Sequence, residues 1–111
     1  MSPKLLTDEE KQRVYAVKTH LLNHLDQTFT IQQLARMAAL GEQKFKEGFY
    51  SLFTMPVGSY IHHSRMHTAR FLLRHTDKPV QEIASLCGYS KARNFSTAFK
   101  QFFGQRPTAA R

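Results

Sequence analysis

Apolar positions recur along this chain at spacings of three and four, the period of helices that bury one face. Thr7 opens a capping-box pattern with Glu10, and Val14, Val17, Leu21, Leu22 and Leu25 follow at helical spacing, so a first helix is expected to end near Asp26. The residues ahead of it, Met1 to Leu6, read as a disordered leader. Further on, Val80, Ile83, Ala84 and Cys87 fall at i, i+3, i+4 and i+7, the stripe of a short helix. Gly88 is placed to close that helix, because glycine takes the left-handed conformation without steric cost. Ser90 then reads as the N-cap of another helix, with Phe95, Phe99, Phe102 and Phe103 on one side. An earlier stretch has the same plan: Thr30 as N-cap of a helix from Ile31 to Ala38, a turn at Ala39 to Gly41, and a second helix from Glu42 to Phe53. Gly41 stands there in place of the serine, and Gly48 inside the helix costs about 1 kcal/mol relative to alanine.

The two stretches are an internal repeat. Ile31, Leu34, Ala35 and Met37 match Val80, Ile83, Ala84 and Leu86 at an offset of 49, and Phe45, Phe49 and Phe53 match Phe95, Phe99 and Phe103 at 50. Pro56 matches Pro107 at 51, so the slips are single residues in turns. A repeat of this length means two equivalent structural units, and two helices joined by a turn of three or four residues is the helix-turn-helix that reads DNA. Between the repeats, Val57 to Arg74 has helical spacing and no proline, with Tyr60, Ile61, Ala69, Leu72 and Leu73 on an inner face and Arg65, Arg70 and Arg74 elsewhere. A helix of about 17 residues spans roughly 26 Å. It would serve as a rod holding two recognition helices for neighbouring major grooves, which recur every 34–36 Å or so. The expected fold is therefore all-α: a first helix-turn-helix subdomain over 7–55, a linker helix over 56–75 and a second subdomain over 76–111.

Composition narrows the function. Sixteen Lys and Arg against eight Asp and Glu leave a formal net charge of +8, and from Gly48 onward only Asp77 and Glu82 are acidic. Such an excess favours a polyanion, because Lys and Arg displace the counterions condensed on a phosphate backbone. Charge alone does not separate DNA from RNA or an acidic membrane. With 41% hydrophobic residues in 111, a core can form without staples, and the single Cys87 excludes an internal disulfide. Its place on an apolar stripe suits a buried small hydrophobe in a reducing compartment. No run of about 20 apolar residues occurs and the N-terminal segment is too polar for a signal peptide, so the expected location is the cytoplasm, with no membrane partner.

The segment IASLCGYSKARNFSTAFKQFFGQRP, from Ile83 to Pro107, and the linker stretch RMHTARFLL, from Arg65 to Leu73, resemble the DNA-binding domain of the AraC/XylS family of bacterial transcription regulators. The resemblance covers nearly the whole chain, from about Thr7 to Arg111. It implies seven helices in two subdomains joined by the long fourth helix, each subdomain placing a recognition helix in the major groove of double-stranded DNA, usually as an activator contacting RNA polymerase. The family's base-contacting positions fall on Gln43, Lys46 and Glu47 in the first recognition helix, with Lys44 better placed for phosphate. In the second they fall on Ala92, Arg93, Asn94, Ser96 and Thr97, with Lys91 just ahead also counted as DNA-binding. Arg can donate two bonds to guanine O6 and N7, and Gln and Asn match adenine N6 and N7. Glu47 departs from the pattern: a carboxylate accepts from cytosine N4 but repels phosphate. The chain also departs at its end, with Ala110 where the family carries an aromatic residue, which weakens the expectation of a last helix. Two expectations stay open beside the resemblance: a complete small regulator, or the tail of a longer one whose further partner is an N-terminal effector-binding or dimerisation domain.

Other chemistry finds little support. His20 and His24, and His63 and His67, each stand at i, i+4, a spacing that puts two imidazoles on one face, but no cysteine or carboxylate completes a metal set. There is no phosphate-binding glycine loop, no nucleophile with a base and no carboxylate pair, so neither an enzyme nor a cofactor is expected. Phe45, Phe49, Phe95 and Phe99 are expected in the core rather than stacked on bases. The alternative left standing is a helical module that binds nucleic acid without reading sequence, or binds a protein.

Overall fold

A computed structural model describes residues 6–111 of the chain. Those residues form seven helices and no strand: α1 (Asp8–Leu22), α2 (Ile31–Met37), α3 (Glu42–Phe53), α4 (Val57–His75), α5 (Val80–Leu86), α6 (Ala92–Phe103) and α7 (Pro107–Ala110). They fall into two compact units, one comprising the chain to His24 with Phe29–Ile61, the other Leu25–Thr28 with His62–Arg111.

In the first unit α1 starts where the capping box requires. The Thr7 hydroxyl accepts from the Glu10 N–H at 3.1 Å, and the Glu10 carboxylate accepts from the Thr7 N–H at 2.8 Å. Thr30 and Gln33 repeat the device at α2. Val14, Val17 and Leu21 bury against Leu34, Ala35, Phe45 and Phe49. The helix ends four residues earlier than the apolar spacing suggests. Asn23 caps it, its N–H reaching the carbonyls of Thr19, His20 and Leu21, so Leu22 stays 40% exposed, and Leu25, although buried, lies in the connecting segment. Leu6 is likewise no part of a disordered leader: it is buried, and residues 1–5 lie outside the described part of the chain. Its side chain fills the space above Gly48, where an added Cβ would meet Leu6 Cδ1 at 2.7 Å, so the glycine's helix penalty is linked to a packing contact.

The second unit is built on the later part of α4, with Met66, Ala69 and Leu73 facing Ile83, Ala84, Cys87, Phe95 and Phe99. Met66, absent from the expected inner face, is fully buried because it shares the i, i+3, i+7 stripe with Ala69 and Leu73. The helix after the turn begins one residue later than the serine pattern suggests. Lys91, in extended conformation and without a side-chain cap, is the N-cap, and Ser90 lies in the turn. The Tyr89 N–H closes back onto the Ala84 carbonyl at 2.9 Å, and Phe95 takes the Lys91 carbonyl as its first partner, which sets the register that buries the phenylalanines. A final helix does form. Pro107 at its start presets φ, Ala110 is small enough to bury, and Arg111 donates to the Thr76 and Lys78 carbonyls of the α4–α5 connection.

The two turns solve one problem differently. Gly88 takes φ +90°, as expected, but its counterpart in the first unit is Ala39 at φ 55°, while Gly41 is extended and serves as the N-cap of α3. Gly88 also faces a crowded site, because Arg65 donates to the Leu25 carbonyl at 3.1 Å and the Gln27 carbonyl at 2.8 Å. A Cβ at Gly88 would meet Leu25 O at 2.7 Å and Arg65 Cζ at 2.8 Å. Gly88→Ala is therefore expected to cost more than the roughly 1–2 kcal/mol of left-handed strain alone, as measured by urea unfolding. Ala39→Gly should be neutral or stabilising in the same assay.

Candidate nucleic-acid interface

Each unit turns one side of its second helix into its core and leaves the other to solvent. Phe45 and Phe49 in α3, and Phe95 and Phe99 in α6, have no exposed surface, which places these rings in packing and away from any base. A residue two positions from a buried one on a helix lies roughly 200° around the axis. Gln43 and Glu47 in α3, and Arg93 and Thr97 in α6, accordingly share the outer faces and are exposed, and Tyr50 and Lys100, three residues beyond Glu47 and Thr97, lie beside them and are exposed as well.

On α3 the candidate residues do not act as one cluster. Gln43 Nε2 donates to Glu47 Oε2 at 3.1 Å, so the two amide and carboxylate groups are already in register with each other. Lys44 turns toward α1 and pairs with Glu10 at 2.9 Å. The Glu10 carboxyl is held below the usual carboxylate range, first by the Thr7 backbone N–H and then by Lys44. Lys46 and Glu47 line a groove of about 860 Å³ with Ile31, Tyr50, Pro56 and Val57. Tyr50, not singled out from the sequence, is 56% exposed beside it.

On α6 the structure gathers Arg93, Ser96 and Thr97 along a groove of about 700 Å³ whose other lining includes Lys100, Gln101, Arg106 and Thr108. The Thr97 hydroxyl donates to the Arg93 carbonyl at 3.1 Å, which leaves its oxygen lone pairs outward. Lys91 and Asn94 are exposed but outside that lining, and Ala92 is half-buried. Lys100 and Arg106 were missed. The signal was present in the repeat, since they occupy the positions of Tyr50 and Met55 and so mark where the second copy turns basic.

The histidine pairs do approach, His20 to His24 at 4.1 Å and His63 to His67 at 4.2 Å between ring centroids, but His24 Nδ1 is within 2.8 Å of the His20 carbonyl oxygen. Among the described residues no group of three or more His, Cys, Asp or Glu is placed to hold a metal. Cys87 is buried, and burial pushes its thiol up to about 11, so it is neutral and unreactive at pH 7. No helix among the described residues is long and apolar enough to cross a membrane.

Two helix-turn-helix units on one chain, each with a polar outer face on its second helix, define a class of fold that reads DNA. Residues 34–111 match the family model described as a helix-turn-helix domain, and the chain belongs to the AraC/XylS family of helix-turn-helix transcription regulators. It is 30% identical over 100 residues to the HTH-type transcriptional activator RhaS of Yersinia pestis (strain Pestoides F), covering 90% of this chain and 37% of that one. It is 28% identical over 107 residues to the protein named "Probable transcriptional regulator LumQ" of Photobacterium leiognathi, covering 94% of this chain and 43% of that one. The chain thus spans less than half the length of the curated relatives it matches. Among solved structures it is similar to the DNA-binding domain of AdpA, a global transcriptional factor, in complex with a target DNA, with a TM-score of 0.80, 27% identity and 87% of each chain covered. The C-terminal domain of AraT, a response regulator from Geobacillus stearothermophilus, gives a TM-score of 0.80 at 26% identity over 88% of this chain and 82% of that one.

Proposed function

We propose that this chain binds double-stranded DNA sequence-specifically and activates transcription in a bacterial cytoplasm, with α3 and α6 as recognition helices in neighbouring major grooves. The observation that carries the reading is the pair of outer helix faces, which present Gln43, Lys46 and Glu47 on one unit and Arg93, Asn94 and Thr97 on the other, opposite fully buried phenylalanines. These side chains supply the donors and acceptors that major-groove base edges require. The similarity to AdpA's DNA-binding domain, solved on its target, and to RhaS, an activator by name, supports DNA as the ligand and activation as the outcome. RNA polymerase, and an N-terminal effector-binding or dimerisation domain of the kind that longer relatives have room for, are the proposed protein partners.

Within this reading Arg93, Asn94, Gln43, Lys46 and Glu47 read bases, Ser96 and Thr97 support them from the same face, and Lys91 holds phosphate, while Lys44, paired with Glu10 at 2.9 Å, adds little. Ala92 is half-buried at the start of α6 and would offer only its methyl group, which suits a thymine methyl.

The test is a titration of labelled duplex carrying a bound site against unlabelled competitor at several salt concentrations. Specific binding should outlast excess competitor by a factor of about 10³ or more. A module without sequence reading would lose affinity to competitor and to salt together. Arg93→Ala should relax preference at one base position and cost roughly 1–3 kcal/mol on the best site. An equal loss on every sequence would make Arg93 a phosphate contact instead.

A further inference from the structure

The two units carry unequal charge. The first has seven Lys and Arg against five Asp and Glu, the second nine against three, so formal charges of +2 and +6 make up the chain's +8. The difference is concentrated at equivalent grooves beside the recognition helices. In the first unit the groove is lined by Ile31, Tyr50, Pro56 and Val57 around the opposed charges of Lys46 and Glu47. In the second, Lys100 and Arg106 join Arg93, with hydroxyls from Ser96, Thr97 and Thr108, and no acidic residue lines it.

Pairing widens the contrast. Lys44 of the first unit is held by Glu10 at 2.9 Å, whereas neither Lys100 nor Arg106 is in an ion pair among the described residues. Of the second unit's three acids, Glu82 is paired with Lys78 at 2.9 Å, and Asp26 and Asp77 lie outside the groove lining. A concave surface carrying unpaired cations, with the Ser96 and Thr108 hydroxyls beside them and open to solvent, is built for phosphate oxygens.

We infer that the groove beside α6 is a DNA phosphate seat in which Lys100 and Arg106 supply most of the chain's electrostatic hold, while the first unit contributes selectivity with little backbone anchoring. This rests on the proposed DNA-binding function. It assigns two residues outside the base-reading set and divides one task unequally between the repeats: both units read bases, and the second supplies most of the grip on the backbone.

The experiment measures binding of purified chain to duplex DNA from 50 to 200 mM salt for the parent and three variants, with helical content and unfolding midpoint checked for each. The double variant Lys100→Gln with Arg106→Gln should lower the logarithmic salt slope by about 2, so that the parent's loss of affinity across this range shrinks by roughly tenfold. Affinity at low salt should fall to the same degree on every sequence. The charge-preserving Lys100→Arg with Arg106→Lys should keep the parental slope. Lys44→Gln with Lys46→Gln should lower it by about 1 or less, because Glu10 already neutralises Lys44.

An unchanged slope in the folded Gln variant, or an altered base preference, overturns the phosphate seat. An equal drop in the Lys44 and Lys46 variant overturns the unequal division. If the parent shows no sequence preference while the Gln variant still loses its slope, the proposed specific function fails and the phosphate seat stands.

Discussion

Replacing Phe99 with alanine should destabilise the second unit by about 3–5 kcal/mol, the usual cost of removing a fully buried phenylalanine. Phe99 has no exposed surface and lies 5.7 Å from the Phe95 ring and 4.7 Å from the Phe103 ring, centroid to centroid. Its contacts belong to a cluster with Met66, Leu73 and Ile83 that shares no residue with the cluster around Phe45 and Phe49. Urea unfolding followed by circular dichroism should therefore resolve an early transition for the second unit and a later one near the parental midpoint. A single transition displaced by less than about 1 kcal/mol would mean that the ring is not the keystone its burial indicates.

That phenylalanine was legible because aromatic residues at i, i+4 and i+8 recur with the repeat, and large apolar side chains at helical spacing leave few places to go but inward. The same logic found α3 from Glu42 to Phe53 and the left-handed turn at Gly88. It failed where tertiary contacts outweigh local preference. Ser90 is a better capping residue than Lys91, yet burial of Phe95 and Phe99 sets where α6 begins. Ala39 adopts a conformation that favours glycine because Leu34, Ala35 and Ala38 bury on one side of it and Phe45 on the other, and only a tight turn joins them. Leu6 reads as leader until the missing side chain of Gly48 gives it a place to pack. The candidate site was legible as a face but not as a groove. Arg93 stands out by chemistry alone, whereas Lys100 and Arg106 become partners of it only when α6 and the start of α7 are folded together.

Inserting two alanines between Ile61 and His62 should lower affinity for a specific site by at least about 100-fold, toward the nonspecific level. The position is dictated by packing. Tyr60 and Ile61 pack on the first cluster, and Met66 is the first residue of α4 buried in the second, so the insertion avoids both clusters and disturbs the Arg65 bonds to the Leu25 and Gln27 carbonyls. An insertion further on, between Thr68 and Ala69, would break the Met66, Ala69 and Leu73 stripe and confuse binding with unfolding. Two added residues advance a helix by about 3 Å and rotate its downstream part by about 200°. If specific binding requires α3 and α6 to engage one duplex in fixed register, helical content should persist while specific affinity collapses. Retention of parental affinity in the folded variant would show that the two units bind as independent modules.

The central claim, that this chain reads DNA sequence with both repeats, is tested most directly by selecting bound duplexes from a random pool and sequencing them. The expected outcome is an asymmetric site of two short blocks with centres about one helical turn, roughly 10–10.5 base pairs, apart, one of them losing its preference at a single position in the Arg93→Ala protein. A pool that emerges with no enriched block, or with a single block unaffected by Arg93→Ala, would contradict it.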